Sequence, residues 1–93
     1  MPVSNQVVVR HRSGLQGRIA SLFATAANKY NSNILIQNVN KETPAVNAKS
    51  IVSLITVSIE KGDTVRIQAE GPDEQQALDG LSNMIATNFG EAG

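Results

Sequence analysis

The sequence predicts an α+β domain in which helices pack on one face of an antiparallel sheet. Three observations predict it. Residues 64–69 alternate, with Val65, Ile67 and Ala69 on one side and Thr64, Arg66 and Gln68 on the other, the period of a half-buried strand. Residues 19–30 and 77–89 instead repeat their apolar side chains every three or four positions, the period of a helix with one buried face. Short apolar runs bounded by turn residues lie before and between them.

Taken in order, Gln6, Val7, Val8 and Val9 form the first strand, and Gly14 and Gly17 punctuate the loop that follows. A helix comes next, with Ile19, Leu22, Phe23, Ala26, Ala27 and Tyr30 expected in the core, and Asn31-Ser32-Asn33 ends it. Ile34-Leu35-Ile36 is a short strand. Residues 38–44 are polar and turn-rich, a hairpin loop leading to a brief strand near Ala45-Val46. Ile51, Val52, Leu54 and Ile55 fit a short helix, while Val57 and Ile59 fit the strand or linker after it. Lys61-Gly62-Asp63 turns the chain into the alternating strand 64–69. Gly71-Pro72-Asp73-Glu74 starts the last helix, with Pro in the first turn and acids at the positive dipole end. Its stripe, Ala77, Leu78, Leu81, Met84, Ile85 and Phe89, is expected in the core, and Gly90 ends it. Gly80 inside that helix costs about 1 kcal/mol against Ala unless close packing requires it. Four strands and three helices in this order also allow a ferredoxin-like arrangement, which pattern alone does not separate.

Composition bounds the function. Ninety-three residues make a single domain, 1–93, with a modest core. There is no Cys, so disulfides and thiolate metal sites are excluded and a cytoplasmic location is expected. Residues 1–9 lack a basic segment followed by a long apolar run, so no signal peptide is expected there. No apolar stretch approaches the roughly 20 residues that span a bilayer. Eight basic and eight acidic residues cancel, which argues against direct nucleic-acid binding. Arg10, His11, Arg12 and Arg18 nevertheless gather early in the chain, either as solvated surface or as a patch for an anion or acidic partner. No metal-ligand spacing, nucleophile–base pair or phosphate-cradling loop occurs, so no metal, cofactor or catalytic residue is expected.

Two motifs carry a resemblance. Ser13-Gly14-Leu15-Gln16-Gly17-Arg18 is similar to the active-site loop of the HPr phosphocarriers of the bacterial phosphotransferase system (PTS). Asn47-Ala48-Lys49-Ser50-Ile51 resembles that family's regulatory serine site. Gly62 and then Ala69-Glu70-Gly71-Pro72-Asp73-Glu74-Gln75 continue the likeness at family-like spacing, so it covers nearly the whole chain. The resemblance implies an HPr-like open-faced β-sandwich of four antiparallel strands under three helices. There are three departures: Gln16 stands where the family has its phosphorylated histidine, Ile19 where it usually has proline, and the loop 38–46 is longer by a few residues. In the Gln16 departure the chain resembles the Crh-type, catabolite-repression branch of the family.

Position 16 decides the main question. A phosphocarrier needs a ring nitrogen with a free lone pair near pH 7. A carboxamide nitrogen delocalises its lone pair into the carbonyl, so Gln16 is not expected to carry phosphate. His11, the only histidine, is expected on the surface and outside any transfer chemistry. The Gly14–Gly17–Arg18 loop is then either an anion site or a helix start capped by Ser13 or Gln16. Ser50, ahead of an apolar run, is suited both to cap a helix and to accept a regulatory phosphate. Ile51, Leu54 and Ile55 are either an exposed patch for partners or core.

Three functions follow as expectations. The first is a PTS regulatory phosphoprotein. It is phosphorylated on Ser50 by HPr kinase/phosphorylase and docks on a LacI-type catabolite regulator through Gln16, Gly17, Arg18, Ala20, Ser50, Ile51 and Leu54. The second is an HPr paralogue that binds Enzyme I or another PTS partner without accepting phosphoryl. The third is a small acyl or phosphoryl hydrolase, for which no base or nucleophile sits at workable spacing. Neither a membrane nor a nucleic acid is an expected partner.

Overall fold

The computed structural model of the protein describes residues 1–91. Strands β1 (Val3–Val8), β2 (Asn33–Asn38), β3 (Val46–Asn47) and β4 (Thr64–Glu70) form one antiparallel sheet in the order β1-β4-β2-β3. Helices α1 (Gly17–Ala27), α2 (Ile51–Thr56) and α3 (Glu74–Ala86) complete the domain. This strand order settles the choice left open by pattern. The last strand inserts between the first two, and only β2 and β3 form a hairpin. The result is the open-faced sandwich.

Register explains which sheet face is covered. Ile67 of β4 pairs with Ile36 of β2, and Ala69 with Ile34, so their side chains share one face and are buried. Arg66 and Gln68 alternate to the other face, beside Gln37, Leu35, Gln6 and Ser4, which stay exposed or half-exposed. Phe23, Ile19, Ala24 and Ala27 of α1 and Ala77, Leu78, Leu81 and Ile85 of α3 close over the apolar face.

Several expectations need correction. The first strand is 3–8 rather than 6–9, because pairing with β4 starts at Val3–Ala69 and stops at Val8–Thr64. Leu22 is 38% exposed rather than core, since the buried stripe of α1 runs through Ile19, Ala20, Phe23, Ala24 and Ala27. Tyr30 lies beyond α1 and Phe89 beyond α3, and both, like Ala26 and Met84, are only partly buried against the core. Pro72 precedes the last helix, whose N-cap is Asp73. The Asp73 carboxylate does not cap; it accepts from Asn31 N–H at 2.9 Å and from the Ser32 hydroxyl. A Cβ at Gly80 would stand 2.2 Å from the Tyr30 hydroxyl, so a side chain there requires the tip of the partly buried Tyr30 to shift.

Candidate functional site

The loop ahead of α1 is built on the segment leaving α2. Val9 and Asp63 bond backbone to backbone (Val9 N to Asp63 O, 2.9 Å), and Gly14 N–H donates to His11 O at 2.9 Å to close the turn. Leu15 N–H then donates to Ile59 O at 3.0 Å while the Leu15 side chain is fully buried. Gly14, at φ +59°, lies so close to this segment that a Cβ would sit 2.2 Å from Ile59 O. Residue 16 is thereby held in extended conformation (φ −123°, ψ 158°) as the N-cap of α1. Neither Ser13 nor Gln16 caps the helix with its side chain, correcting one of the two readings above. The Gln16 carbonyl accepts from Ile19 and Ala20 N–H, and its amide Nε2 points to Ile59 O at 3.5 Å.

His11 is not a surface residue. It is 4% exposed and packs edge-on against Phe89, with ring centroids 6.0 Å apart. Ser13 N–H donates to its Nδ1 at 3.1 Å, which places the ring proton on Nε2, and Nε2 donates to a Glu91 carboxylate oxygen at 2.9 Å. With one nitrogen accepting and the other donating, the ring has no lone pair free for attack. Arg18 reaches the same carboxylate with both arms of its fork, Nη1 to Oε2 at 2.7 Å and Nη2 to Oε1 at 3.0 Å. Hydrogen bonds from Arg18 and then His11 hold the Glu91 carboxyl down to about 2, against burial, which opposes it.

An open polar cleft of about 570 Å³ lies beside this loop, lined by Arg12, Ser13 and Gln16 on one side and Lys41, Ser58, Glu60 and Lys61 on the other. Lys41 belongs to the loop between β2 and β3. Its ammonium donates to Ser58 O at 2.6 Å and pairs with Glu60 and Asp63. Beneath it, the fully buried Asn38 amide donates to Val57 O at 3.2 Å and to Asp63 Oδ2 at 2.8 Å. Glu60 N–H, then Asn38 and Lys41, hold the Asp63 carboxyl below the usual carboxylate range. Sequence reasoning missed Asn38, Lys41 and Asp63. Asn38 at a position of the sheet that faces the core was the available signal, because a buried amide needs several partners.

Ser50 is the N-cap of α2, in extended conformation, and its Oγ accepts from Ser53 N–H at 3.2 Å. The turn before it is anchored: Asn28 Nδ2 donates to Lys49 O at 2.9 Å, and Lys49 Nζ donates to Tyr30 O at 2.8 Å. Ile51, Val52 and Ile55 are 42, 73 and 48% exposed, an apolar surface on a six-residue helix.

The structure brings some of the expected site residues to the surface and buries others. Gln16 is half-buried, Gly17 and Arg18 are exposed at the start of α1, and Ile51 is exposed at the start of α2. Ala20 and Leu54 are fully buried and cannot line a docking surface. Ala20 lies on the inward stripe of α1, and Leu54 is the one residue of α2 that faces the core. Val52, absent from the expected set, is the most exposed of the α2 residues named. The Gln16 loop rests on the segment after α2 and Ser50 begins α2, so the two sites stand at opposite ends of a helix about 9 Å long. Among the described residues no cluster of His, Asp and Glu has the arrangement to hold a metal ion, and no helix is long and apolar enough to cross a membrane.

Comparison with known proteins points one way. The family model "PTS HPr component phosphorylation site" matches residues 3–87. The HPr-like protein Crh of Halalkalibacterium halodurans is 43% identical over 83 residues, covering 89% of this chain and 95% of that one. The multiphosphoryl transfer protein of Haemophilus influenzae is 31% identical over 90% of this chain, which spans 17% of that much longer protein. Among solved structures, HPr-C-His from Thermoanaerobacter tengcongensis superposes with a TM-score of 0.91 at 33% identity, covering 98% of this chain and 99% of that one.

Proposed function

Because the chain belongs to the PTS HPr family, we propose that it is a regulatory binding protein switched by phosphorylation of Ser50 and not a histidine phosphocarrier. One observation carries this reading. The start of α1 presents a carboxamide, Gln16, and the only imidazole of the chain has both nitrogens engaged. Phosphoryl transfer through nitrogen therefore has no acceptor there. Ser50, by contrast, sits half-exposed at a helix start, where added phosphate meets free N–H groups.

The kinase on this reading is HPr kinase/phosphorylase with ATP. The γ-phosphoryl bond to ADP breaks, the Ser50 Oγ–P bond forms, and the hydroxyl proton leaves to the kinase. The docking partner is a LacI-type catabolite regulator, consistent with the Crh name of close relatives. It would contact Gln16, Gly17, Arg18, Ser50, Ile51, Val52 and Ile55. Mass spectrometry after incubation with ATP and the kinase should show one added phosphate, lost in Ser50→Ala. No uptake overturns the proposal.

A second reading keeps the PTS partner and changes the job: a paralogue that binds Enzyme I without accepting phosphoryl. The exposed Arg18 beside the Gln16 loop, and relatives that include phosphocarriers, favour it. Phosphoenolpyruvate with Enzyme I should leave no phosphohistidine on the wild type, whereas Gln16→His supplies the missing ring. Label on His11 would contradict the bonding described for that side chain.

A further inference from the structure

We propose that Lys41, assisted by Asn38, is a positioning residue for partner binding. From the loop between β2 and β3 it ties off the far end of α2 and fixes the segment that supports the Gln16 loop, so that both parts of the docking face hold one arrangement. The proposal rests on the docking reading above and names the residue that presets its geometry.

The end of α2 needs donors from outside the helix. A helix leaves its last carbonyls without intrahelical partners, and cationic and amide donors are favoured there. At six residues, α2 cannot persist on its own hydrogen bonds. Ser50 caps its start, and the loop after β2 serves its end. Asn38 Nδ2 donates to Val57 O at 3.2 Å, and Lys41 Nζ donates to Ser58 O at 2.6 Å. Lys41 also pairs with Glu60 and stands 3.6 Å from Asp63. The hydrogen bond to Glu60 raises the ammonium above the usual lysine range, so it keeps its charge. The loop is tied down in turn. Lys41 N–H donates to Asn38 Oδ1 at 3.3 Å, Val39 N–H donates to Thr64 O at 2.9 Å, and Asn40 Oδ1 accepts from Thr64 N–H.

Ser58 is where this clamp acts. Its φ is +47°, a left-handed conformation that Cβ–carbonyl sterics disfavour for serine. Such a residue persists only where its surroundings over-determine it. Here the Lys41 ammonium holds its carbonyl, and its own N–H donates to Ile55 O at 3.1 Å. The next carbonyl, Ile59 O, accepts Leu15 N–H at 3.0 Å and is the atom that a Cβ on Gly14 would strike. A single residue therefore joins the end of the helix carrying Ile51, Val52 and Ile55 to the support of the Gln16 loop. Holding both in place before a partner arrives removes an ordering cost from binding. The Lys41 side chain is 37% exposed, so replacing it leaves the hydrophobic core intact.

Lys41→Met removes the charge and the donor, whereas Lys41→Arg keeps both. Amide hydrogen exchange followed by NMR reads the two supports at Leu15 N–H, bonded to Ile59 O, and at Leu54 N–H, bonded to Ser50 O. In Lys41→Met both should exchange at least about fivefold faster than in wild type, while the amides of central strand β4 stay within about twofold. Lys41→Arg should bring both back to within about twofold of wild type. Phosphorylation kinetics with ATP and HPr kinase/phosphorylase supply the functional readout: the KM for Lys41→Met should rise at least about threefold with kcat within about twofold. The proposal is overturned if either amide fails to accelerate, if β4 accelerates equally, if arginine fails to restore the rates, if KM rises less than this, or if the loss falls on kcat. Absence of phosphorylation on the wild-type chain defeats the Ser50 reading instead, and the exchange rates then decide this proposal alone.

Discussion

Gly14→Ala tests whether the Gln16 loop is held by the contact described for it. The new Cβ would meet Ile59 O at 2.2 Å and Glu60 Cα at 2.8 Å, backbone atoms that no rotamer change can move. The carbonyl that must retreat is the one that accepts Leu15 N–H, so the steric cost and loss of a buried hydrogen bond arrive together. Left-handed φ for Ala costs about 1–2 kcal/mol, overpacking about 1–3, and the orphaned bond about 1–3. Even near the lower end of those ranges this is about 4 kcal/mol, against a total stability of about 5–15. For a domain of this size the melting temperature should fall by at least about 15 °C. Gly17→Ala is the control. Its φ is +51°, but a Cβ there meets nothing within 4 Å, so only the conformational cost of about 1–2 kcal/mol remains. Thermal and urea unfolding followed by circular dichroism measure both. A loss below about 2 kcal/mol for Gly14→Ala, or equal losses for the two variants, refutes the steric account.

Three further outcomes are expected. Ser50→Ala removes the Ser53 N–H cap and should cost about 1 kcal/mol, while Ser50→Asp, which can still cap, should cost little; chemical denaturation resolves the difference. Gly80→Ala sets a helix-propensity gain of about 1 kcal/mol against displacement of the Tyr30 hydroxyl, so it should be more favourable when made in Tyr30→Phe than in the wild-type chain, a difference that chemical denaturation measures. The Glu91 carboxyl is held at about 2, below its ordinary 4.5. Its contribution to stability is therefore fully present above about pH 4.5 and lost as pH falls through about 2, and this step should shrink in the acid-unfolding profile of Arg18→Gln, where only the His11 hydrogen bond remains.

What the sequence made legible was local. The alternation of Val65, Ile67 and Ala69 and the three-and-four spacing of Ile19, Phe23 and Ala27 follow from geometry within one element, so β4, α1 and α3 could be read directly. Ser50 as a cap was legible for the same reason. Burial of single residues was not. Ala20 and Leu54 differ from exposed neighbours only by the rotation of their helices against the sheet, a tertiary quantity. His11 is buried by Glu91 and Phe89, which are 80 and 78 positions further along, and no pattern near His11 announces that. The strand order likewise depends on β4 pairing with both β1 and β2, contacts that join distant parts of the chain.

If Ser50 is the phosphorylated residue, as proposed above, the shortness of α2 would let a phosphate there act without rearranging the fold. A six-residue helix has too few hydrogen bonds to persist alone, so it depends on its cap, on buried Leu54 and on the anchored turn before it. Those supports all face inward or lie at its ends, leaving Ile51, Val52 and Ile55 free of structural duty. Three large apolar side chains on so small an element form a surface that a folded partner can cover with a gain in free energy. Phosphate at the cap position adds nearly two negative charges beside that surface and next to the Lys49 backbone, where the helix N–H groups already point. A partner that matches this arrangement must set a cationic fork against the phosphate and an apolar face against Ile51 and Val52 simultaneously. Removing either half, by Ser50→Ala or by Val52→Asp, should then weaken docking while leaving the sheet and the Gln16 loop as they are.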